Sequence, residues 1–152
     1  KFHIKAYGVG LKLLDFPDIT AMNMDPRFLK ALDPTPKGGK LEVPVTHIVP
    51  AAVMGSGLGS NQTYSGDYDI QLFDEKTRKQ HKLDSIGLGD VVAITDADHE
   101  YGRIYRQGAA SVGIVVHTDC VIAGHGPGVT TLFTSSAGKI VPKIDPKAKR
   151  AL

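Results

Sequence analysis

The apolar residues of this chain fall into short runs rich in Val, Ile, Thr, Tyr and Phe, and turn-forming Gly, Asp, Asn and Ser separate most of these runs. Such runs favour strands, whereas a helix needs apolar residues at three- and four-residue spacing over a longer segment. We therefore predict a mainly β fold. The predicted strands cover residues 2–9, 40–49, 68–73, 91–95, 103–106, 111–118, 129–134 and 139–143.

Helical patterns are few. Asp25 can cap a helix whose first position is Pro26, and apolar residues follow at helical spacing as far as Leu32. The Pro-containing segment 33–36 ends this helix after about two turns, and residues 13–23 could hold one more short turn. Together with the strands, this pattern predicts a barrel or a sandwich with one or two short helices.

Length and charge limit the classes of function. A chain of 152 residues suits a single domain, 1–152, with one sizeable core. Its 18 Lys and Arg against 16 Asp and Glu leave a formal charge of +2. The basic stretches 76–82 and 143–150 are interpreted as a solvated turn and a solvated terminus. We therefore expect neither a nucleic acid nor a membrane as partner, and the single cysteine predicts a cytoplasmic protein.

The chain begins with an alternating, strand-like pattern at residues 1–7 and without an initiator methionine. A strand normally has a partner strand and a preceding turn, so two explanations are open: a cut within a longer polypeptide, or trimming of a leader. In the first case, we expect the chain to pair with an N-terminal half of the same protein or with a second copy in a homo-oligomer.

Residues 111–136 carry the most chemically informative pattern, an apolar strand with histidine and aspartate that runs into a glycine-rich turn. If side chains alternate along this strand, His117 and Asp119 share the face of Val115. Cys120 then lies on the opposite face and is predicted to be a poorly reactive core residue. His117 and Asp119 are therefore candidate catalytic residues, able to transfer protons or to bind a metal ion.

The turn that follows places a histidine among glycines and a proline, in the order Gly124, His125, Gly126, Pro127, Gly128. Glycine allows tight turns and a close approach of backbone to a ligand, so the three glycines are candidate cofactor-binding residues. His125 has little cover from its neighbours and is the third candidate catalytic residue. About five residues of turn can return it to His117 and Asp119, which predicts one cleft for the three side chains. The alternative is a plain hairpin turn.

A second polar cluster, formed by Asp96, Asp98 and His99, follows the apolar run 91–94. Carboxylates with a histidine suit Zn²⁺, Mn²⁺ or Mg²⁺, so these three residues are candidate ligands of a divalent metal ion. Their spacing matches neither a zinc finger nor an EF-hand, and an exposed acidic turn is the alternative. The glycine-dense loop 55–61 could bind an anion through its backbone N–H groups, or serve only as a connection.

Five strings of the sequence resemble an uncharacterised prokaryotic family that is known only as a domain of unknown function. The resemblance extends over most of the chain, and it implies that the chain corresponds to the C-terminal part of a longer protein. It implies no activity and no catalytic residue. The strings are M-G-S-G-L-G (54–59), G-D-Y-D-I-Q (66–71), G-D-V-V-A-I-T-D-A-D (89–98), Y-G-R-I-Y (101–105) and V-V-H-T-D-C-V-I-A-G-H-G-P-G-V-T-T-L (115–132).

Two functions of different class follow from these patterns. The first is a metal-assisted enzyme, a hydrolase or lyase, that acts on a small polar or anionic substrate. In this enzyme His117, Asp119 and His125 bind the ion or exchange protons. The second is a non-catalytic β module, whose glycine turns and polar side chains form an oligomeric or inter-domain interface.

Overall fold

The computed structural model describes residues 10–55, 68–72, 74–118 and 126–148 of the chain. Within these ranges the two α-helices are α1 (Pro26–Leu32) and α2 (Glu75–Gln80). The predicted strand at 2–9 lies outside the described residues. The strands are β1 (Thr20–Ala21), β2 (Thr35–Lys37), β3 (Lys40–Val45), β4 (His47–Pro50), β5 (Tyr68–Asp69), β6 (Val91–Asp98), β7 (Ile104–His117), β8 (Gly128–Ser135) and β9 (Ile140–Ile144).

The strands form two sheets. The larger sheet has the order β1-β8-β7-β6-β4, with β5 paired to the beginning of β8. The β4–β6 pair is parallel, and the other described pairs of this sheet are antiparallel. The smaller sheet has the order β2-β3-β9, in which β3 and β9 are parallel. The prediction of a mainly β fold with one or two short helices is confirmed, and in the described part of the chain the sheets are open rather than closed into a barrel.

Both faces of the larger sheet are covered by apolar side chains. One face packs against the smaller sheet and α1, and the other packs against the 3₁₀ turns Ala51–Val53 and Leu83–Ser85. The four consecutive residues at 91–94 are all fully buried, at 0% exposure. A strand that is covered on both faces needs apolar residues on both, and this explains why 91–94 is a continuous apolar run.

Capping residues explain where the helices begin. Asp25 accepts a hydrogen bond from the N–H of Arg27 at 2.6 Å, and Pro26 occupies the first helical position of α1, as predicted. The sequence does not predict α2, because this helix buries no side chain and so has no apolar periodicity. Asp74 caps it by accepting a hydrogen bond from the N–H of Thr77 at 2.8 Å.

The predicted strands 103–106 and 111–118 belong to one long strand, β7. No helix in the described ranges combines the length and the apolar character that crossing a membrane requires.

Candidate functional site

The backbone of β6 bends at Asp96, near the end of the strand. This residue has a φ of 57°, and the register between β6 and β7 shifts between Thr95 and Ala97. The Asp96 carboxylate accepts a hydrogen bond from the N–H of Gly108 at 2.7 Å, which holds the bend. Beyond it, the Ser111 hydroxyl of β7 donates to the carbonyl of Ala97 at 3.0 Å. The following residues are therefore carried across β7 towards β8.

His99 is fully buried where this crossing segment reaches β8. The backbone N–H of His99 donates to the hydroxyl of Thr134 at 2.9 Å, and the ring Nδ1 lies 3.0 Å from the hydroxyl of Thr131. Its Nε2 lies 3.3 Å from the sulfur of Met54, and its ring is tilted against that of Tyr68 with centroids 4.9 Å apart. Both ring nitrogens of His99 thus have protein partners.

Asp98 and Ser111 complete this group through Thr134. The Thr134 hydroxyl lies 3.2 Å from Oδ1 of Asp98 and 2.8 Å from the Ser111 hydroxyl. Asp98 also accepts the N–H of Glu100 at 3.1 Å. We call this group the His99 network; it consists of Asp98, His99, Ser111, Thr131 and Thr134, which are all buried. Its groups are bonded to one another, as buried polar groups in native proteins generally are.

Burial and, to a smaller extent, the positive charge of Arg103 lower the pKa of His99 to about 4, whereas Asp98 opposes this change. The imidazole is therefore neutral at pH 7. A neutral buried imidazole adds no positive charge to the site, and here it acts as a hydrogen-bonding member of the fold.

The predicted metal ligands Asp96, Asp98 and His99 are engaged by different partners. Asp96 holds Gly108, whereas Asp98 and His99 belong to the His99 network. Among the described residues, no group of three or more His, Cys, Asp or Glu side chains is placed to hold a metal ion. The binding of a divalent ion stays a prediction.

A second group of polar residues lies where β5, β8 and β7 run side by side. Asp69 and His117 both pair with Gly128, from opposite sides of this residue. A Cβ at Gly128 would overlap the His117 ring, so only glycine leaves room for the ring to lie across β8. His117 Nε2 is 3.6 Å from Oδ1 of Asp69, and the two side chains are 51% and 9% exposed, respectively.

A β-bulge explains how His117 comes to face Asp69. Val115 pairs with Val129, but His117 pairs with Gly128, so Val116 is an extra residue in β7. Consecutive residues of β8 point to opposite faces, and His117 therefore lies on the face opposite to Val115. Strict alternation predicts the same face for these two residues. The bulge reverses this, and Val116 is 40% exposed as a result.

The other described candidate glycine, Gly126, serves the packing of the chain. It is buried, and a Cβ there would overlap the carbonyl oxygen of Ile70. The N–H of Ile70 donates to the carbonyl of Pro127 at 2.9 Å, which holds the two segments together. Gly126 therefore allows contact of backbone with backbone, whereas Gly128 allows contact of backbone with a histidine ring.

Two polar groups beside Asp69 and His99 are buried without a partner. The Nε and Nη1 atoms of Arg103 and the hydroxyl of Tyr68 form no hydrogen bond in the described structure. Burial lowers the pKa of Arg103, an effect that the charge of Asp69 opposes, and burial raises the pKa of the Tyr68 hydroxyl. We call Tyr68, Asp69, Arg103 and His117 the Arg103 cluster.

The remaining candidate residues Asp119, Gly124 and His125, and also Cys120, lie outside the described residues. Their segment is flanked by Thr118, which follows the bulge of β7, and by Gly126, which precedes β8. The sequence-based candidates do not include Tyr68, Asp69 or Arg103. A signal was present, since the strings 66–71 and 101–105 contain all three, but neither string forms a known catalytic pattern.

The comparisons with known proteins agree with this fold. Residues 31–151 match a family model described as "Domain of unknown function (DUF4438), C-terminal". The chain is also similar to the crystal structure of TM1086, with 46% identity and a TM-score of 0.80 over 91% of this chain and 48% of that one. It thus spans about half the length of TM1086. No curated protein matches the sequence. The family match covers most of the chain, and the chain therefore belongs to the DUF4438 family and corresponds to the C-terminal domain of that family.

Proposed function

We propose that this protein is an enzyme, a hydrolase or a lyase, that acts on a small anionic substrate with Asp69 and His117 as its acid–base pair. The observation that carries the proposal is the approach of His117 Nε2 to Asp69 Oδ1, 3.6 Å across Gly128. The imidazole is half-exposed and the carboxylate is nearly buried. A substrate can therefore reach the imidazole while the carboxylate holds the ring.

The chemistry of this pair suits proton transfer. A histidine can take and return a proton near pH 7, and a neighbouring carboxylate orients the ring and stabilises its charged form. The distance of 3.6 Å is longer than a hydrogen bond, but a small rotation of the exposed ring would close it. His117 would therefore be the general base, and Asp69 would position it.

A divalent ion remains part of the proposal. Asp69 and His117 offer an oxygen and a nitrogen ligand, as Zn²⁺ or Mn²⁺ sites do, and Asp119 and His125 come from the segment that directly follows His117 along the chain. The near-balanced charge favours a small-molecule ligand over a nucleic acid or a membrane. We also propose a cytoplasmic location, because the single cysteine suits a reducing compartment.

Turnover by the purified protein tests this function. Phosphomonoesters, small carboxylic esters and lactones, and 2-hydroxy acids cover the hydrolase and lyase classes, each in EDTA and with Zn²⁺, Mn²⁺ or Mg²⁺. We expect turnover of one class, and a decrease in kcat of about 100-fold or more in His117→Asn and Asp69→Asn. His81→Asn, at the end of α2, is the matched control and should keep the wild-type rate. Absence of turnover across the panel, or a wild-type rate in His117→Asn, would contradict the proposal.

A second candidate function is an interface with another chain or domain. The connection from β6 to β7 and the first residues of β7 expose three large apolar side chains, Tyr101 (86%), Ile104 (50%) and Tyr105 (69%). Exposed aromatic residues close together are typical of contact surfaces. The partner would be an N-terminal half of the same protein or a second copy. Sedimentation of the wild type and of Tyr101→Ser/Tyr105→Ser tests this: an assembly lost in the variant supports the interface, and a monomeric wild type that binds no N-terminal half contradicts it.

A further inference from the structure

We propose that Arg103 and Tyr68 bind the anionic group of a small ligand, a carboxylate or a phosphate, beside the Asp69–His117 pair. This anion site rests on the proposed function only in so far as the bound anion is taken to be the substrate of the Asp69–His117 pair. The binding itself is argued from Arg103 and Tyr68 alone and can be measured without turnover.

The guanidinium of Arg103 is the first part of the argument. Its Nε and Nη1 atoms are removed from solvent and have no hydrogen-bond partner among the described residues. Guanidinium nitrogens can only donate, so the missing partner must be an acceptor. A buried donor without a partner costs about 1–3 kcal/mol, and more when it is charged. Carboxylate and phosphate are the acceptors that fit a guanidinium best, because two of their oxygens can accept parallel hydrogen bonds.

Tyr68 supplies a second and independent group. Its side chain is only 1% exposed, and its hydroxyl likewise has no partner in the described structure. The Tyr68 ring lies against the imidazole of His99, the same imidazole whose pKa is lowered by the charge of Arg103. Tyr68 therefore contacts this ring directly, and Arg103 acts on it through its charge. An anion beside this ring could accept hydrogen bonds from both.

Among the residues that the structure describes, none supplies the missing acceptor to these atoms. His99 uses both of its ring nitrogens within the His99 network and with Met54. Asp69 attracts Arg103 electrostatically, yet no hydrogen bond joins Asp69 to the Nε or Nη1 atom. This attraction does not occupy the two donors, which leaves them for a ligand.

Calorimetric titration of the purified protein tests the proposal, with inorganic phosphate and malonate as separate probes. We expect one of the two anions to bind the wild type, and its identity distinguishes a phosphate site from a carboxylate site. Arg103→Gln should weaken this binding about 10- to 100-fold, the usual effect of losing a hydrogen bond to a charged group. Tyr68→Phe should weaken it by a smaller factor, about 3- to 10-fold.

Two matched controls come from the same region. Arg106→Gln and Tyr105→Phe change exposed residues of β7 and should bind the anion as the wild type does. If Arg103→Gln fails to fold, Tyr68→Phe decides, because it removes a single oxygen. Failure of both anions to bind the wild type, or wild-type affinity in both Arg103→Gln and Tyr68→Phe, would overturn the proposal.

The same variants separate this inference from the proposed function. His117→Asn should lose turnover but keep anion binding, because the ring is not one of the anion's donors. Loss of turnover in His117→Asn with unchanged binding in Arg103→Gln and Tyr68→Phe would remove only the anion site. Binding that depends on Arg103, together with turnover that is unaffected by His117→Asn, would remove only the acid–base pair.

Discussion

The His99 network and the Arg103 cluster are neighbours, but they differ in whether their buried polar atoms have hydrogen-bond partners. In the His99 network each side chain contacts another member, and the Thr134 hydroxyl alone contacts Asp98, His99 and Ser111. In the Arg103 cluster, Arg103 and Tyr68 have buried atoms that find no partner in the described part of the chain, and His117 is half-exposed. A satisfied network stabilises a fold, whereas unpartnered buried donors destabilise it unless a ligand completes them. The difference supports a structural role for the first group and a ligand-binding role, as proposed above, for the second.

Gly126, which precedes β8, and Gly128, which begins it, give the test with the largest expected effect. Gly126→Ala should lower the free energy of unfolding by roughly 3 kcal/mol or more, because the new methyl group would overlap the backbone of Ile70, which cannot move aside cheaply. Chemical denaturation of the purified variant measures this change.

Gly128→Ala is the matched control, since the three atoms nearest to its methyl group belong to the half-exposed ring of His117, which can turn towards solvent. Its stability should change by less than about 1 kcal/mol, while the Asp69–His117 pair is broken. An equal decrease in the free energy of unfolding in both variants would contradict this prediction, because it would show that the His117 ring cannot turn away from the new methyl group.

Thr134→Val tests the structural role of the His99 network. Valine keeps the shape of threonine but cannot bond the N–H of His99 or the carboxylate of Asp98. We expect the free energy of unfolding to fall by about 2–3 kcal/mol, since two buried polar groups lose a partner. Thr130→Val, on the same strand and only half-buried, is the control. A change of similar size in both variants would contradict the role assigned to the network.

The pH dependence of stability tests the neutral state of His99. Its pKa is about 4 in the folded chain and 6.5 ordinarily, so the unfolded chain binds the proton more readily between these values. The contribution of neutral His99 to the free energy of unfolding is complete above about pH 6.5. It decreases as the pH falls towards 4, by about 2 kcal/mol between pH 7 and pH 5. Arg103 and Asp98 are the charged groups that act on the ring.

The measurement for this prediction is chemical denaturation at both pH values, in the wild type and in His99→Gln. His99→Gln should lose this part of the pH dependence, whereas His81→Gln, a histidine at the end of α2, should retain it. An unchanged slope in His99→Gln would show that the imidazole is not buried in its neutral form.

The sequence predicts the elements of the fold better than the site. Residues 91–94 and the cap at Asp25 follow from local composition, and the structure confirms both. The face on which His117 lies depends on the bulge at Val116, which is set by the register of β7 against β8 and leaves no local signal. Local patterns are therefore sufficient where pairing is regular.

The Arg103 cluster could not be assembled from the sequence, because its members are distant from one another along the chain. Asp69 and His117 are 48 positions apart, the difference of their numbers, and they meet only because both strands pair with Gly128. Arg103 is a candidate because two of its nitrogen atoms are buried, which no composition pattern reveals. Asp96, by contrast, is conspicuous in the sequence, yet its carboxylate holds a bend in the backbone. Polar residues close in sequence thus indicate the region of a site but not its members.

Tyr68→Phe tests the central distinction between the two groups most directly. In buffer free of phosphate and carboxylate, removing a buried hydroxyl without a partner should raise the free energy of unfolding by about 1 kcal/mol. Where the hydroxyl of a buried tyrosine is hydrogen-bonded within the fold, the same substitution lowers the free energy of unfolding by about 1 kcal/mol. A stabilised Tyr68→Phe variant therefore supports an incomplete site that awaits its ligand. A variant destabilised by 1 kcal/mol or so would contradict the account, because the hydroxyl would then belong to the fold as Thr134 does.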